Sequence, residues 1–255
     1  MFSGGLGSWA AAKRVAAAHG TDRLTLLFTD TKIEDADLYR FLVEAAANVG
    51  GRLLSLAEGR NIWEVFRDER YLGNTRADPC SKILKRQMAE RWLTANCRPE
   101  STVVYVGIDW SEEHRYARLR ERRLPWVYEA PLCDAPYLTK AQMLALLAAE
   151  GIAPPRLYAM GFAHNNCGGG CVKAGIGHFA HLYRTLPLVF ATWEGEEAKL
   201  REQLGDVAIL RDRTGGTTRP LPLSALRFRL EAGGEVDRHE IGGCGCFSDV
   251  EEAAS

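Results

Sequence analysis

The hydrophobic positions in the first half of the chain fall into two alternating patterns. The runs "LTLLFTD" (24–30), "RLLSLA" (52–57) and "STVVYVG" (101–107) are short and apolar, as buried parallel strands are. Between and around them lie longer segments with helical spacing and helical ends, over residues 9–20, 35–51, 81–96 and 111–123. This order predicts an α/β fold, with a doubly wound, mostly parallel sheet covered by helices on both faces.

Beyond residue 135 the pattern becomes mainly helical. The stretch "RDRTGGTTRP" (211–220) is rich in turn residues and is predicted to be a loop. We therefore divide the chain into an α/β domain over residues 1–135 and a mainly helical region over residues 136–255. The predicted helices of the second region cover residues 139–151, 172–186, 192–205 and 223–234.

Composition and charge exclude some classes of protein. The 255 residues are 46% hydrophobic and 25% charged, with a net charge of −1, so no global field draws the chain to nucleic acid or membrane. No apolar run approaches the ~20 residues of a transmembrane helix, and no signal peptide opens the chain. We expect a cytoplasmic protein without a membrane partner, which forms a homo-oligomer.

The first residues carry a candidate phosphate loop, "FSGGLGSWAAAKR" (2–14). Glycines allow backbone amides to approach an anion, and the N-terminus of the following helix adds favourable partial charge. The alternative is a plain glycine turn with a serine cap. Only Met1 and Phe2 precede the loop, whereas a phosphate loop normally follows a buried strand; the expectation is that this strand is missing from the chain or lies upstream of it. The candidate phosphate-binding residues are Ser3, Gly4, Gly5, Gly7 and Ser8.

Five motifs in order resemble the phosphoadenosine phosphosulfate (PAPS) reductase-like family of the adenine nucleotide α-hydrolase, or PP-loop ATP pyrophosphatase, superfamily. They are "SGGLGS", "LLFTDTKIEDADLYRFL", "PCSKILKRQM", "VGIDWSEEHRYARL" and the long segment that ends in "LYAMGFAHNNCGGGC". The resemblance covers roughly residues 1 to 175. It implies an adenine nucleotide α-hydrolase-like fold that binds ATP or a sulfonucleotide. The matching positions are Asp30, Thr31, Cys80, Lys85, Gly107, Ser111, Glu112 and Arg115.

The resemblance also implies roles for several of these residues. Thr31 would bind the nucleotide, Asp30 would contact the nucleotide or Mg²⁺, and Lys85 and Arg115 would neutralise phosphate charge. The chain departs from the pattern at Gly7, where many pyrophosphatases have aspartate, and at Asp109, where the family usually has arginine. The family's C-terminal motif with its reducing thiol is absent; the tail has "IGGCGCF" instead, in which Cys246 is the candidate catalytic thiol.

Seven cysteines are an odd number for a disulfide framework, and clustered cysteines in a reducing compartment are more often metal ligands or redox thiols. By resemblance to the iron-sulfur members of the family, Cys80, Cys167 and Cys171 would hold a 4Fe–4S cluster, with Cys244 or Cys246 as the fourth ligand or with one iron left open. The alternative is zinc, held by Cys167, Cys171, Cys244 and Cys246. A further alternative is a set of reduced thiols without metal.

The sequence is compatible with three functions. The first is an iron-sulfur-dependent enzyme that adenylates an acceptor with ATP and Mg²⁺ and then transfers sulfur to it. The second is a sulfonucleotide reductase that releases sulfite with a thioredoxin-like reductant. The third is a non-catalytic nucleotide- or nucleic-acid-binding protein with a structural metal site. An arginine-rich helix could then contact tRNA or DNA; its residues are Arg115, Arg118, Arg120, Arg122 and Arg123.

Overall fold

The computed structural model describes residues 1–73, 78–213 and 216–242. Two pairs of parallel strands form its α/β part. Strand β1 (Thr25–Asp30) pairs with β2 (Arg52–Ala57), and β3 (Val103–Tyr105) pairs with β4 (Val127–Glu129). These pairs confirm the predicted parallel pairing in a mixed α/β fold. Strand β4 does not lie in a long apolar run, so the sequence pattern did not indicate it.

The two helices around β1 end close to their predicted ends, but α1 begins at Leu6, before the predicted start at Trp9. Helix α1 (Leu6–His19) ends at Gly20, whose N–H donates to the carbonyl of Ala16. Helix α2 (Ala36–Val49) begins at Asp35, whose side chain accepts from the N–H of Asp37, and ends at Gly50 in the left-handed conformation. Both ends follow the ordinary capping rules: a carboxylate satisfies a free amide at the start, and glycine adopts a positive φ at the end.

The segment between β2 and β3 differs from the single helix predicted over residues 81–96. A short helix α3 (Ile62–Asp68) precedes it, with a capping box at Asn61. The predicted helix consists of a turn α4 (Pro79–Ser81), a π-helical segment (Lys82–Gln87) and α5 (Met88–Asn96), followed by a 3₁₀ turn (Pro99–Ser101). Wide π turns are rare in proteins and frequently occur at functional sites.

The rest of the chain is mainly helical, as predicted, with one exception. The stretch 211–220, predicted to be a loop, contributes to an antiparallel pair of strands, β5 (Leu210–Asp212) and β6 (Arg219–Leu221). The paired residues lie at the two ends of the turn-rich stretch, and Leu210 and Leu221, which flank it, face each other across the pair. The other elements are a 3₁₀ turn (Trp110–Glu112), α6 (Glu113–Arg122), α7 (Lys140–Ala149), α8 (Arg156–Ala159), a 3₁₀ turn (Cys167–Gly169), α9 (Ile176–Thr185), α10 (Pro187–Leu204) and α11 (Leu223–Glu231).

Buried side chains form three hydrophobic clusters. One cluster joins α1, α2 and β1 to Met143 and Leu147 of α7, and a second joins β3 and β4 to Leu119 of α6. The third packs α3, α9, α10 and α11 around the cysteine-containing turn. The division at residue 135 stays a prediction. No helix within the described ranges is long and apolar enough to cross a membrane.

Candidate functional site

The candidate phosphate loop leads into the first turn of α1, which begins at Leu6 and so contains Gly7 and Ser8. The cap residue Gly5 offers no side chain, so no side-chain cap closes the start of this 14-residue helix. The N–H of Leu6 donates to the hydroxyl of Tyr158 (3.2 Å), and the Ser8 hydroxyl donates to the carbonyl of Gly5 (2.8 Å). Gly4 has a φ of 74°, which glycine adopts without strain. The helix end therefore retains the partial positive charge that favours an anion.

A pocket of about 170 Å³ opens at this helix end. Two cationic side chains line it, Lys85 from the π-helical segment and Arg115 from α6. Arg115 is paired with Glu112, yet its Nε atom is buried, as is Oδ1 of Asn165, and neither has a hydrogen-bond partner among the described residues. Buried polar atoms are almost always paired, so these two atoms indicate a site for a ligand or water. The pocket is also lined by Ser3, Gly5, Gly7, Ser8, Gly107, Glu112, Tyr158, His164 and Asn166.

The two departures from the family pattern have steric and local explanations. A Cβ atom at Gly7 would lie 2.9 Å from the carbonyl oxygen of Gly107, and one at Gly107 would lie 2.7 Å from the amide of Ser8. Because the two backbones touch, a larger residue at position 7 does not fit. Asp109 accepts hydrogen bonds from the N–H and hydroxyl of Ser111, and thereby caps the following 3₁₀ turn. The carboxylate of Asp109 therefore stabilises the start of this turn.

The segment from His164 to Cys171 connects the phosphate loop to the cysteines. At its start, the Asn165 amide donates to the carbonyl of Gly4 (2.9 Å). At its middle, Cys167, Gly168 and Gly169 all have a positive φ, which makes a tight left-handed turn. A Cβ at Gly168 would lie 2.7 Å from the Ile33 carbonyl oxygen, so only glycine fits there. The glycines of this motif thus serve close packing as well as turning.

Three of the predicted ligands lie together. Cys80 from α4 and the pair Cys167 and Cys171 line one small pocket of about 20 Å³, with Thr31, Lys85, Lys173 and Trp193. The backbone N–H of Lys173 points at Sγ of Cys171 (3.5 Å). Nevertheless, in the described part of the chain no three His, Cys, Asp or Glu side chains are placed to hold a metal ion. The three thiols line the same pocket, but they are not arranged as the ligands of one metal ion.

Glu34 joins the two pockets. Its carboxylate is 1% exposed and accepts from the Thr31 hydroxyl (2.8 Å), the Cys167 backbone N–H and the Lys85 ammonium (3.5 Å). Lys85, itself 7% exposed, lines both the phosphate-loop pocket and the cysteine pocket. A buried ion pair therefore lies between the two parts of the candidate site.

Two histidines flank the cysteine pair, and burial holds the pKa of both below the usual value. His164 lines the phosphate-loop pocket. His178 donates from Nε2 to the carbonyl of Gly169 (2.7 Å), which supports the left-handed turn. This bond requires a proton on Nε2 of His178, because a carbonyl only accepts.

The remaining predicted residues lie apart from these pockets or outside the described residues. Asp30 ends β1, as predicted, but its carboxylate accepts from the N–H of Lys32 and the hydroxyl of Tyr39 (2.8 Å each), and it lines neither pocket. Cys244 and Cys246 lie outside the described residues. The last described residue, Gly242, forms an antiparallel bridge with Ala174, three residues after Cys171.

The sequence interpretation missed Glu34, Asn165 and Asn166. Asn165 and Asn166 lie inside the cysteine motif itself, and their amide side chains were a visible sign of anion or backbone contacts. Glu34 looked like an ordinary acidic residue at the start of α2. Its partners Lys85 and Cys167 are 51 and 133 positions away, so no local pattern could have identified it.

Fold and site together define an α/β protein in which the uncapped start of a helix lies beside a cysteine-lined pocket. No protein-family model matches the chain, and no curated protein matches it. Among solved structures, one match is the crystal structure of phosphoadenylyl-sulfate (PAPS) reductase from Candida auris in complex with phosphate. The identity is 15%, the TM-score is 0.43, and the match covers 63% of this chain and 77% of that one. This similarity is too low to assign an activity, so the function below rests on the residues of the site.

Proposed function

We propose that the chain is a PAPS reductase-like PP-loop enzyme that binds the phosphates of ATP or a sulfonucleotide at residues Ser3 to Ser8. The observation that carries this proposal is the position of Lys85, which lines both the phosphate-loop pocket and the cysteine pocket. A phosphate bound at the start of α1 would meet the ammonium of Lys85 and the unpaired Nε of Arg115. Sulfur chemistry at the cysteines would then take place beside the nucleotide.

The reaction that suits this arrangement is adenylation of an acceptor followed by sulfur transfer. An acceptor oxygen attacks the α-phosphorus of ATP, the bond to the bridging oxygen breaks, and pyrophosphate leaves with Mg²⁺. A sulfur nucleophile then displaces AMP from the adenylated acceptor. Lys85 and Arg115 would stabilise the charge that develops on the phosphate oxygens, and the partly closed pocket would strengthen these interactions. Asp30, at the end of β1, is the proposed contact for Mg²⁺ or the nucleotide.

The donor set around the cysteine pocket suits a thiolate-bound metal in type, although the spacing of the side chains does not yet form a site. Three thiols, one backbone N–H directed at sulfur and two lysines near the pocket would offset the negative charge of a cluster. Cys244 follows Gly242 by two residues, which span at most about 7 Å. It is therefore the proposed fourth ligand. A bound 4Fe–4S cluster would supply redox or sulfur-binding chemistry; zinc is the alternative.

The test is a pair of assays on protein purified without oxygen. Iron, sulfide and zinc are measured first; about four irons per chain support the cluster, whereas one zinc and a colourless protein exclude it. Pyrophosphate release is then measured with ATP, Mg²⁺ and candidate acceptors. Lys85→Met removes the buried charge, and Lys82→Met, an exposed lysine of the same π-helical segment, is the matched control.

We expect pyrophosphate release to fall about tenfold or more in Lys85→Met, as one lost charge-assisted hydrogen bond implies, and to stay unchanged in Lys82→Met. Sulfite release from a sulfonucleotide with thioredoxin, abolished by Cys246→Ser, would instead identify a reductase. Tight ATP binding without either product would identify a binding protein. Absence of nucleotide binding in both the native chain and Lys82→Met would refute the phosphate loop itself.

A further inference from the structure

The hydroxyl of Tyr158 lies at the start of α1, where it accepts a hydrogen bond from the backbone N–H of Leu6 (3.2 Å). A Cβ atom at Gly5 would lie 3.5 Å from the same oxygen. Leu6 is the first residue of the helix, so its N–H is one of the amides that helical bonding leaves free. Tyr158 and Leu6 both line the phosphate-loop pocket. The hydroxyl therefore lies where the helix end meets the pocket.

The proton of this hydroxyl has no acceptor in the protein, as far as residues 1–73, 78–213 and 216–242 show. A tyrosine hydroxyl can accept one hydrogen bond and donate another at the same time. The bond from Leu6 uses the acceptor and polarises the hydroxyl, which makes it a better donor. The O–H group can thus pass the donor character of the Leu6 amide on to a ligand in the pocket.

Two features keep Tyr158 a neutral and strong donor. Burial raises the pKa of its hydroxyl above the usual value, so the proton stays in place at neutral pH. The ammonium of Lys140 lies over the ring, 4.3 Å from its centroid, and draws electron density away from the hydroxyl. The same ammonium donates to the carbonyl of Ala163 (3.1 Å), which fixes its position.

The short helix that carries Tyr158 is held in place by α2. Arg156, the first residue of α8, forms a bidentate ion pair with Asp35 (2.8 and 2.7 Å). Its backbone N–H donates to the carboxylate of Asp37 (2.7 Å), and the next residue, Leu157, is fully buried. These contacts orient the hydroxyl before any ligand binds, and a donor that is already in position costs little ordering on binding.

Other polar atoms of the same pocket also lack partners among the described residues. Nε of Arg115 is a donor, and Oδ1 of Asn165, a residue that is 1% exposed, is an acceptor. Because buried polar atoms are almost always paired, these atoms indicate that the protein's own groups do not complete the pocket. A phosphate has acceptor oxygens in several directions, so it can pair the donors of Tyr158 and Arg115 together.

We infer that Tyr158 binds the phosphates of the nucleotide: its hydroxyl accepts from Leu6 and donates to a phosphate oxygen, which extends the helix end by one hydrogen bond. The inference rests on the proposed function, because it concerns the same phosphate site. In the opposite arrangement the hydroxyl blocks the site, and a phosphate must displace it to reach the Leu6 amide. Removal of the hydroxyl weakens phosphate binding in the first case and strengthens it in the second.

The experiment measures the affinity of the full chain for pyrophosphate and for ATP by calorimetric titration. Tyr158→Phe removes the hydroxyl and keeps the ring. Tyr183→Phe is the matched control, because its hydroxyl also makes one bond, to the exposed Glu231 (3.3 Å), and it is not among the residues that line the pocket. We expect Tyr158→Phe to weaken both ligands about tenfold or more, as the loss of one hydrogen bond to a charged group implies, and Tyr183→Phe to leave both affinities unchanged.

Amide hydrogen exchange separates a ligand contact from a purely structural role. A structural role would loosen the start of α1 and speed exchange at Trp9, whose N–H donates to the carbonyl of Gly5 (3.2 Å). We expect exchange at Trp9 to be the same in Tyr158→Phe as in the native chain. Weaker binding together with faster exchange at Trp9 would overturn the inference.

Unchanged or tighter binding of both ligands to Tyr158→Phe would overturn it as well, and tighter binding would identify a hydroxyl that blocks the site. These outcomes leave the proposed function intact, since the native chain still binds phosphate. A native chain that binds neither pyrophosphate nor ATP would refute the phosphate loop itself, and the role of Tyr158 with it.

Discussion

Glu34→Gln is the substitution that most directly tests the link between the two pockets. The carboxylate uses both oxygens: Oε1 accepts from Thr31 and Lys85, and Oε2 accepts from the N–H of Cys167. Glutamine keeps the shape but turns one acceptor into a donor, so one of these donors loses its acceptor whichever way the amide lies. It also removes the negative charge of Glu34 that faces the ammonium of Lys85, which is 7% exposed.

The expected loss is large because the pair is buried. Removal of one partner of a buried ion pair typically lowers the free energy of unfolding by about 3 to 5 kcal/mol, and the 3.5 Å separation of this pair favours the lower end. Glu196→Gln is the matched control, since its partner Lys199 is 61% exposed and an exposed pair contributes less than about 0.5 kcal/mol. Urea unfolding followed by circular dichroism measures both variants. Equal losses in the two variants would refute the role assigned to Glu34.

Three further predictions follow from single contacts. Gly7→Ala places a Cβ 2.9 Å from the carbonyl oxygen of Gly107 and should lower the free energy of unfolding by about 1 to 3 kcal/mol. Gly195→Ala, on a helix and in open space, should raise this free energy by about 0.5 to 1 kcal/mol. Urea titration of both variants measures the two changes. Burial lowers the pKa of the Met1 amino group to about 5, so the folded chain binds fewer protons there than the unfolded chain. The free energy of unfolding should therefore rise from pH 5 to pH 8, by up to about 4 kcal/mol relative to an N-acetylated chain. An equal dependence of this free energy on pH in the two chains would contradict the prediction. Cys80→Ser should lower the iron content of anaerobically purified protein, and unchanged iron would remove Cys80 from the ligand set.

The elements that sequence reasoning found are those with strong local signals. Strand β1 is centred on the apolar run Leu26–Leu27–Phe28, and α2 has both an aspartate at its start and glycine at its end. The elements that it missed lack such signals. Strand β4 has three residues, of which only Tyr128 is buried, and the π-helical segment has an ordinary helical sequence. Their form depends on tertiary contacts, which a local pattern does not contain.

The same distinction applies to the site. The phosphate loop and the cysteine motif were recognisable because each is contiguous in sequence. Their proximity was only implied by the family resemblance, since it depends on a contact between Asn165 and the carbonyl of Gly4. The role of Gly7 was also hidden: the sequence shows a departure from a motif, whereas the structure shows a backbone contact with Gly107 that excludes a side chain.

The shared ion pair predicts that ligands in the two pockets affect each other's binding. A phosphate at the start of α1 would attract Lys85 away from Glu34, and the freed carboxylate would hold the N–H of Cys167 more strongly. Anything bound to the thiols would act on the same turn from the other side. Linkage requires the effect to be reciprocal: if a filled cysteine pocket changes phosphate affinity by some factor, phosphate changes the affinity of the thiols for their ligand by the same factor. Two adjacent but independent sites would have a factor of one, so a factor different from one is the measurable consequence that the position of Lys85 predicts.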